Sequence, residues 1–265
     1  NLDAVYVCLP PFAHLDEVEQ AAERGIHVFI EKPIAISPDV AKRMVDAVES
    51  AGIVSQVGYM VRYSGGVRKL AAVVRDGAAG RPTLFRGSYS CNALHSPWWR
   101  DREKSGGQIF EQAIHVYDLA LAFLGTPTRV GAAMANLCHT DVEGYTVEDT
   151  SASVIEFESG AIASITASNC AVPGKWLHEF TLVCEKLTAT VRGGNEIELV
   201  YTDGEKPSVE RFEFDDDPFA TEDAAFIEAA RGAASPDVPM RVGYERVRLV
   251  EAAVRSAADG RFLEL

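Results

Sequence analysis

Positive charge is scarce in this 265-residue sequence, in which 25 Lys and Arg residues stand against 39 Asp and Glu, for a net charge of −14. Proteins that bind nucleic acid or anionic membrane surfaces carry the opposite balance, so we expect neither partner. Long apolar runs are also missing, because no stretch reaches the roughly 18 residues that a membrane-spanning helix needs. We therefore expect a chain with no membrane segment.

Cysteine is sparse as well, with five residues widely spaced and no C-x-x-C pair. This spacing predicts neither a disulfide framework nor a zinc site, and His139 and Asp141 have no partner at metal-ligand spacing. No signal-peptide pattern opens the chain. Apolar residues nevertheless make up 47% of the sequence, enough for full hydrophobic cores. We expect a metal-free protein of a reducing compartment, the cytoplasm.

Strand-like and helix-like patterns alternate at the start of the chain. Apolar runs over 5–9, 26–30 and 53–59 predict buried strands, and helical spacing of apolar residues predicts helices over 14–24 and 37–52 between them. Strands that alternate with helices through short connections pair in parallel. We therefore predict part of a doubly wound α/β domain over residues 1–60.

After residue 60 the sequence no longer alternates between strands and helices. Helices are predicted over 62–76 and, after a loop over 91–105, over 107–124; two more, over 219–231 and 243–258, close the chain. Between them lie strand-like runs at 130–137, 151–158, 161–169, 179–185, 187–192, 196–201 and 209–214. Consecutive strands predict a large, mainly antiparallel open sheet. Residues 61–265 are thus predicted to form an α+β domain.

The tripeptide Glu31-Lys32-Pro33 directly follows the second predicted strand. Ligands of open parallel sheets bind beyond the carboxyl ends of the strands, where the Lys32 ammonium could enter a cleft. The alternative is a solvated Glu–Lys pair in a surface loop, and the tripeptide alone does not decide between them.

A stripe of polar residues crosses the predicted helix over 107–124. Gln108, Glu111, His115 and Asp118 follow one another at steps of three and four, so they share one face, and nearly all other positions are apolar. Glu111 and His115 lie one turn apart and could hydrogen-bond. A water-facing stripe is the alternative, but it predicts Lys, Arg or Glu instead of a lone histidine between two acids.

Two smaller features could also contact a ligand. Trp98, Trp99 and Arg100 lie in the loop before this helix and could stack on a sugar or a nicotinamide, or the tryptophans could fill space beneath the loop. His14 lies at a strand-to-helix turn, where a cofactor could touch it, although a lone histidine there is more often structural.

Segments from both halves of the chain combine into a known pattern. They are Leu9-Pro10, His14, Gly25-Ile26-His27-Val28, Glu31-Lys32-Pro33, Gly58-Tyr59, Arg62-Tyr63, Gly106-Gly107, Glu111, His115, Asp118 and Gly260. With them the sequence resembles the Gfo/Idh/MocA oxidoreductases, a group that includes glucose–fructose oxidoreductase and inositol 2-dehydrogenase. The resemblance extends over essentially the whole chain.

The resemblance implies an NAD- or NADP-dependent enzyme that transfers hydride between the cofactor and a sugar or polyol. It implies that residues 1–60 are the second part of a Rossmann domain and that residues 61–265 bind substrate. The implied catalytic residues are Lys32, His115 and Glu111, with Glu111 orienting the imidazole. The implied cofactor contacts are Leu9, Pro10, His14, Glu31, Lys32, Pro33 and Arg62, and the implied substrate contacts are Trp99, Arg100 and Asp118.

The sequence departs from the family pattern in several places. Glu111 stands where the family usually has Asp, and Gln108 and Ala113 stand where it usually has Gly. The G-x-G-x-x-G turn that binds the cofactor phosphates, and the residue that selects NAD or NADP, are absent. We expect both in about 60 residues preceding Asn1. The identity of the sugar and the reaction direction stay open.

Two other functions fit the same resemblance. One is an NAD-dependent glycosidase of the same fold, and the other is a non-catalytic relative that senses a nucleotide or sugar. In each case we expect a homodimer or homotetramer, because the predicted strands, such as 161–165, carry apolar residues on both faces.

Overall fold

Three parallel strands open the computed structural model, which describes residues 2–265. The strands lie in the order β1-β2-β3, so the chain segments that leave β1 and β2 emerge at the same edge of the sheet. The elements are β1 (Ala4–Val7), α1 (Glu17–Glu23), β2 (His27–Glu31), α2 (Pro38–Ala51) and β3 (Ser55–Gly58). This arrangement confirms the predicted α/β organisation.

The first helix is shorter than the sequence pattern predicts. Pro11–Ala13 forms a 3₁₀ turn instead, and α1 begins only at Glu17. His14, predicted to lie in the helix, precedes it, and its Nδ1 pairs with the Glu17 carboxylate. The same carboxylate accepts a hydrogen bond of 2.9 Å from Leu15 N, so the segment before Glu17 bonds to a side chain instead of joining the helix.

The remainder of the chain builds a nine-stranded sheet in the order β11-β10-β9-β8-β4-β7-β6-β5-β12. All neighbouring pairs are antiparallel except β4 with β7. The strands are β4 (Pro82–Ser90), β5 (Pro127–Ala135), β6 (Thr150–Phe157), β7 (Ile162–Ser168), β8 (Leu177–Cys184), β9 (Leu187–Arg192), β10 (Glu196–Tyr201), β11 (Ser208–Glu213) and β12 (Leu263–Glu264). The predicted large, mainly antiparallel open sheet is confirmed.

Five helices accompany this sheet. They are α3 (Gly65–Arg75), α4 (Arg102–Ser105), α5 (Ile114–Leu124), α6 (Pro218–Ala230) and α7 (Met240–Asp259), and a π-helical turn over Ile109–Ala113 leads into α5. Nearly every residue of α5 is buried. None of the helices within residues 2–265 combines the length and apolar character needed to cross a bilayer.

A single hydrophobic cluster joins the two sheets. It runs from Val28 and Ile30 of β2 to Phe85 of β4, Leu119 of α5 and Val250 of α7. Helix α7 lies against α2 and β3 on one side and against β5 on the other. This continuous core therefore fixes the carboxyl edge of the small sheet relative to helix α5 of the large domain.

Strand β4 is the part of the fold that the sequence pattern missed. It occupies a central position between β8 and β7, yet its sequence contains Arg86, Gly87 and Ser88, which do not resemble a buried strand. Arg86 lies on the exposed side of the strand, and Gly87 is required on the buried side, because a Cβ atom there would clash with Val116 Cγ1 of α5 and lie 2.7 Å from Phe85 Cε1. The missing side chain lets α5 pack directly on the strand.

We expect the substitution Gly87→Ala to lower the free energy of unfolding by about 1–3 kcal/mol, since an extra methyl group must push α5 away from β4. Chemical denaturation measures this change. Gly204→Ala is the matched control, because its Cβ atom would meet only Lys206 O at 3.4 Å; we expect a change within about 0.5 kcal/mol. Equal stability of the two variants would contradict the close packing of α5 on β4.

Candidate active site at the junction of the two sheets

Lys32 connects the two parts of the fold. It follows β2, and its Nζ donates a hydrogen bond to the backbone oxygen of Glu111 and lies 3.5 Å from the Glu111 carboxylate oxygen Oε2. The Lys32 and Glu111 side chains are 16% and 14% exposed. The two charges are thus mostly withdrawn from water, at the contact between the carboxyl edge of the small sheet and the large domain.

The π-helical turn determines where Glu111 points. The sequence predicts one regular helix over 107–124, but the structure has a π turn over Ile109–Ala113 before α5. A π turn holds more residues than an α turn, so side chains four positions apart no longer stack. Such turns occur frequently at functional sites.

Glu111, expected to orient His115, makes its contact elsewhere in this structure. Within residues 2–265, His115 Nδ1 is buried with no hydrogen-bond partner, and Glu111 pairs with Lys32 instead. The His115 ring packs edge-on against the Tyr59 ring, with centroids 6.0 Å apart. Tyr59 and the π turn therefore hold the imidazole in place.

Burial shifts the pKa values of both His115 and Glu111. Burial lowers the pKa of His115 well below its usual value, and the neighbouring positive charge of Lys32 lowers it further. Burial raises the pKa of Glu111, while the Lys32 ammonium opposes that shift. His115 is consequently a neutral imidazole at physiological pH, and one of its two ring nitrogens carries no proton.

Glu148 is a positioning residue that sequence reasoning missed. Its buried carboxylate accepts a hydrogen bond of 2.8 Å from Ile109 N and one of 2.7 Å from Arg102 Nη2, which fixes the start of the π turn. A side chain at Gly107, whose φ is +106°, would collide with this carboxylate. No periodicity reveals such a contact, because Glu148 comes from a loop 39 positions away.

Asp118 and Arg62 have structural contacts instead of the predicted ligand contacts. Asp118 is 1% exposed, and its carboxylate accepts hydrogen bonds of 2.6 Å from Arg62 Nε and 2.9 Å from Arg246 Nε. The remaining surface of Arg62 lines a separate cavity of about 470 Å³ that Lys32 and His115 do not touch. Asp118 therefore contributes to the junction as the centre of a buried ion-pair group.

Trp99 and Arg100 also differ from expectation. Trp99 is 3% exposed and packs with Tyr145 and Val147, so it is not available to stack on a ligand. Arg100 donates to the backbone oxygens of Leu94 and His95 within its own loop. These residues shape the loop, whereas neighbouring Trp98 contacts Phe12 across the junction at a centroid distance of 5.9 Å.

The predicted cofactor contacts Leu9, Pro10, Glu31, Lys32 and Pro33 all lie at the carboxyl edge of the small sheet. Leu9 is 42% exposed and offers apolar surface at this edge. The strand-to-helix turns of residues 2–265 include no G-x-G-x-x-G sequence for the phosphates.

Two models of protein families match the chain. The first is described as an oxidoreductase family with an NAD-binding Rossmann fold and matches residues 1–59. The second, the GFO/IDH/MocA C-terminal domain, matches residues 67–190. The two matches therefore cover both the small sheet and the start of the large domain.

Named relatives agree with these matches. D-xylose 1-dehydrogenase (NADP(+)) 2 of Haloferax volcanii is 29% identical over all of this chain and 81% of its own length. The scyllo-inositol 2-dehydrogenase (NAD(+)) of Bacillus subtilis is 31% identical over 63% of this chain, which spans about half, 49%, of that relative. Levoglucosan dehydrogenase, solved with NADH and levoglucosan, superposes with a TM-score of 0.91 at 22% identity, over 99% of this chain and 80% of its own.

We expect Asp118→Asn to lower the free energy of unfolding by about 3–5 kcal/mol, because it leaves Arg62 without a countercharge and Arg246 with only the half-exposed Glu245. Burial alone would raise the pKa of Asp118, but the charges of Arg62 and Arg246 outweigh it and lower the pKa. The carboxylate thus stabilises the fold above its unfolded-state pKa, and this contribution is lost as the pH falls through the folded-state value.

Denaturation curves recorded from neutral to acidic pH check this expectation. The difference in the free energy of unfolding between wild type and Asp118→Asn should be largest at neutral pH and should shrink in acid. Asp46→Asn is the control, since Asp46 pairs with Lys42 on the surface and should cost less than about 1 kcal/mol. A difference that stays constant with pH would contradict the role of Asp118 as the buried charge.

Proposed function

Because the chain belongs to the Gfo/Idh/MocA family of oxidoreductases, we propose that it is an NAD- or NADP-dependent dehydrogenase of a sugar or polyol. The observation that carries this proposal is the approach of Lys32 to Glu111, next to a buried, neutral His115. This pair lies at the carboxyl edge of a parallel sheet, the position where such sheets bind nucleotides.

The cofactor would rest on this edge. Leu9 and Pro10 would contact the nicotinamide end through apolar surface, and Lys32 would lie at its polar side. The bound nicotinamide supplies the hydride acceptor or donor. The residues of this chain supply orientation and proton transfer.

His115 is the better proton acceptor of the two candidates. A neutral imidazole can take the hydroxyl proton of a sugar as its carbon is oxidised, and can return it in the reverse direction. The Lys32 ammonium would donate a hydrogen bond to the same oxygen and stabilise the negative charge that develops there. Glu111 would hold Lys32 at this distance and act as a positioning residue.

We expect His115→Asn and Lys32→Met each to lower kcat/KM by at least about 100-fold, the usual contribution of a positioned acid or base. The assay follows reduced nicotinamide formation by absorbance, with NAD⁺ and NADP⁺ against a panel of aldoses, inositols and anhydrosugars. Lys42→Met is the control, because Lys42 pairs with Asp46 on the exposed surface of α2. Its kcat/KM should match the wild type.

The same assay separates the two alternatives. Cleavage of a glycoside with no net formation of reduced cofactor would support the glycosidase, and ligand binding without any turnover would support a sensing relative. Full activity of both His115→Asn and Lys32→Met would contradict the proposed site, even if the enzyme is a dehydrogenase.

We also propose that the chain forms a homodimer or homotetramer through the outer face of its large sheet. Val154 of β6 and Ile162 of β7 expose 39% and 44% of their surface on neighbouring strands. We expect light scattering to give at least twice the 28.7 kDa mass of the chain, and Ile162→Asp to weaken the assembly. Val172→Asp, at a similarly exposed loop position, is the control. A monomeric wild type would contradict the proposal.

We further propose that the chain divides into a Rossmann part over 1–60 and a substrate domain over 61–265. The separate small and large sheets support this division. A cytoplasmic location is supported by the five cysteines, none of which is in a disulfide.

A further inference from the structure

Two cysteines lie close together outside the candidate active site, at one end of the large sheet. Cys138 follows β5 and Cys170 follows β7, the strands on either side of β6. Their sulfur atoms and a carboxylate oxygen of Asp149 all lie within 4.8 Å of one another. Cys138 is exposed and Cys170 is half-buried, and neither is in a disulfide.

Asp149 creates this proximity. Its carboxylate accepts hydrogen bonds from the backbone N–H groups of Leu137, Cys138 and His139, at 2.6–3.0 Å, so the chain after β5 folds back over the end of the sheet. The backbone oxygen of Asp149 accepts a hydrogen bond of 2.7 Å from Asn169 N, which places Cys170 alongside. One residue therefore holds both cysteines.

A metal ion is a poor occupant for this cluster. The carboxylate of Asp149 is already engaged by three backbone N–H groups and by Thr150 Oγ1. His139 Nε2 is also engaged, at 3.1 Å from Asn169 O. Structural zinc sites use four ligands, and here only two thiols are free to serve.

We propose that Cys138 and Cys170 form a reversible intramolecular disulfide by exchange with a small disulfide such as oxidised glutathione. A disulfide bond is about 2 Å long, so the sulfurs must approach by less than about 3 Å. The Cys138 side chain is exposed, so it has room to rotate toward Cys170 while its backbone stays bonded to Asp149.

The exchange has two steps. The Cys138 thiolate attacks one sulfur of the small disulfide, forming a mixed disulfide and releasing one small thiolate, which takes up the proton lost by Cys138. Cys170 then gives up its proton and attacks the Cys138 sulfur, which forms the protein disulfide and releases the second small thiol. The two protein thiols lose two electrons, and the small disulfide gains them.

Cys138 is the entry point for this chemistry. Burial raises the pKa of Cys170 to about 12, and contact with Cys138 and Asp149 adds to that shift. The exposed thiol therefore reacts first, and Cys170 acts as the resolving thiol.

The disulfide would tether the loop that carries Glu148. That loop, residues 136–149, connects β5 to β6 and supplies the carboxylate that fixes the π turn through Ile109 N. Closing Cys138 onto Cys170 ties one end of this loop to the end of β7, so we expect its backbone to open less often.

Peptide mapping of the full chain tests the proposal. After treatment with oxidised glutathione and alkylation of the remaining thiols, mass spectrometry should find a linked Cys138–Cys170 peptide pair, which a reductant removes. Cys138→Ser and Cys170→Ser should each abolish it, and Cys170→Ser should retain glutathione on Cys138. Cys8→Ser, at another exposed cysteine, should leave the link intact.

Stable glutathione on Cys138 of the wild type, with Cys170 alkylated, would overturn the proposal. A link from either residue to Cys91 would also overturn it. Hydrogen exchange of residues 136–149 should slow several-fold in the oxidised protein, and unchanged exchange would overturn the tethering of the loop. None of these outcomes depends on the enzyme activity.

Discussion

The approach of the Lys32 ammonium to Glu111 is the contact on which the site depends. Lys32 leaves the carboxyl edge of the small sheet, and Glu111 belongs to the π turn of the large domain, so this one pair joins the two parts of the fold. The Lys32 ammonium also lowers the pKa of His115 and so helps to keep the imidazole neutral. The position of a single amine thus affects both the geometry of the site and its proton chemistry.

Several neighbouring features serve this contact. Gly87 allows α5 to lie on β4, Glu148 fixes the turn before α5, and Asp118 neutralises Arg62 and Arg246 where α5 meets α7. Each of these features helps to position either α5 or the π turn that precedes it. Removal of any one is expected to disturb Glu111 and His115 before it disturbs the small sheet.

Features that repeat along the chain were predictable from the sequence. Alternating strands and helices predicted the parallel sheet, consecutive strands predicted the antiparallel one, and Lys32 and His115 stood out as polar residues in apolar surroundings. Features that depend on distant contacts were not predictable. Gly87 stands in strand β4 because α5 packs on it from elsewhere in the chain, and the pairing of Asp118 with Arg246 joins residues 128 positions apart. The π turn also broke the helical spacing that predicted a contact between Glu111 and His115.

The site requires His115 to be a buried, neutral imidazole whose pKa responds to the charge of Lys32. A pH titration of the His115 ring by NMR tests this most directly, in wild type, in Lys32→Met and in the control Lys42→Met. We expect a His115 pKa well below its usual value of about 6.5 in the wild type. We expect that pKa to rise in Lys32→Met and to stay unchanged in Lys42→Met. A His115 that titrates near its usual pKa, or one that does not respond to the loss of Lys32, would contradict this role of the pair.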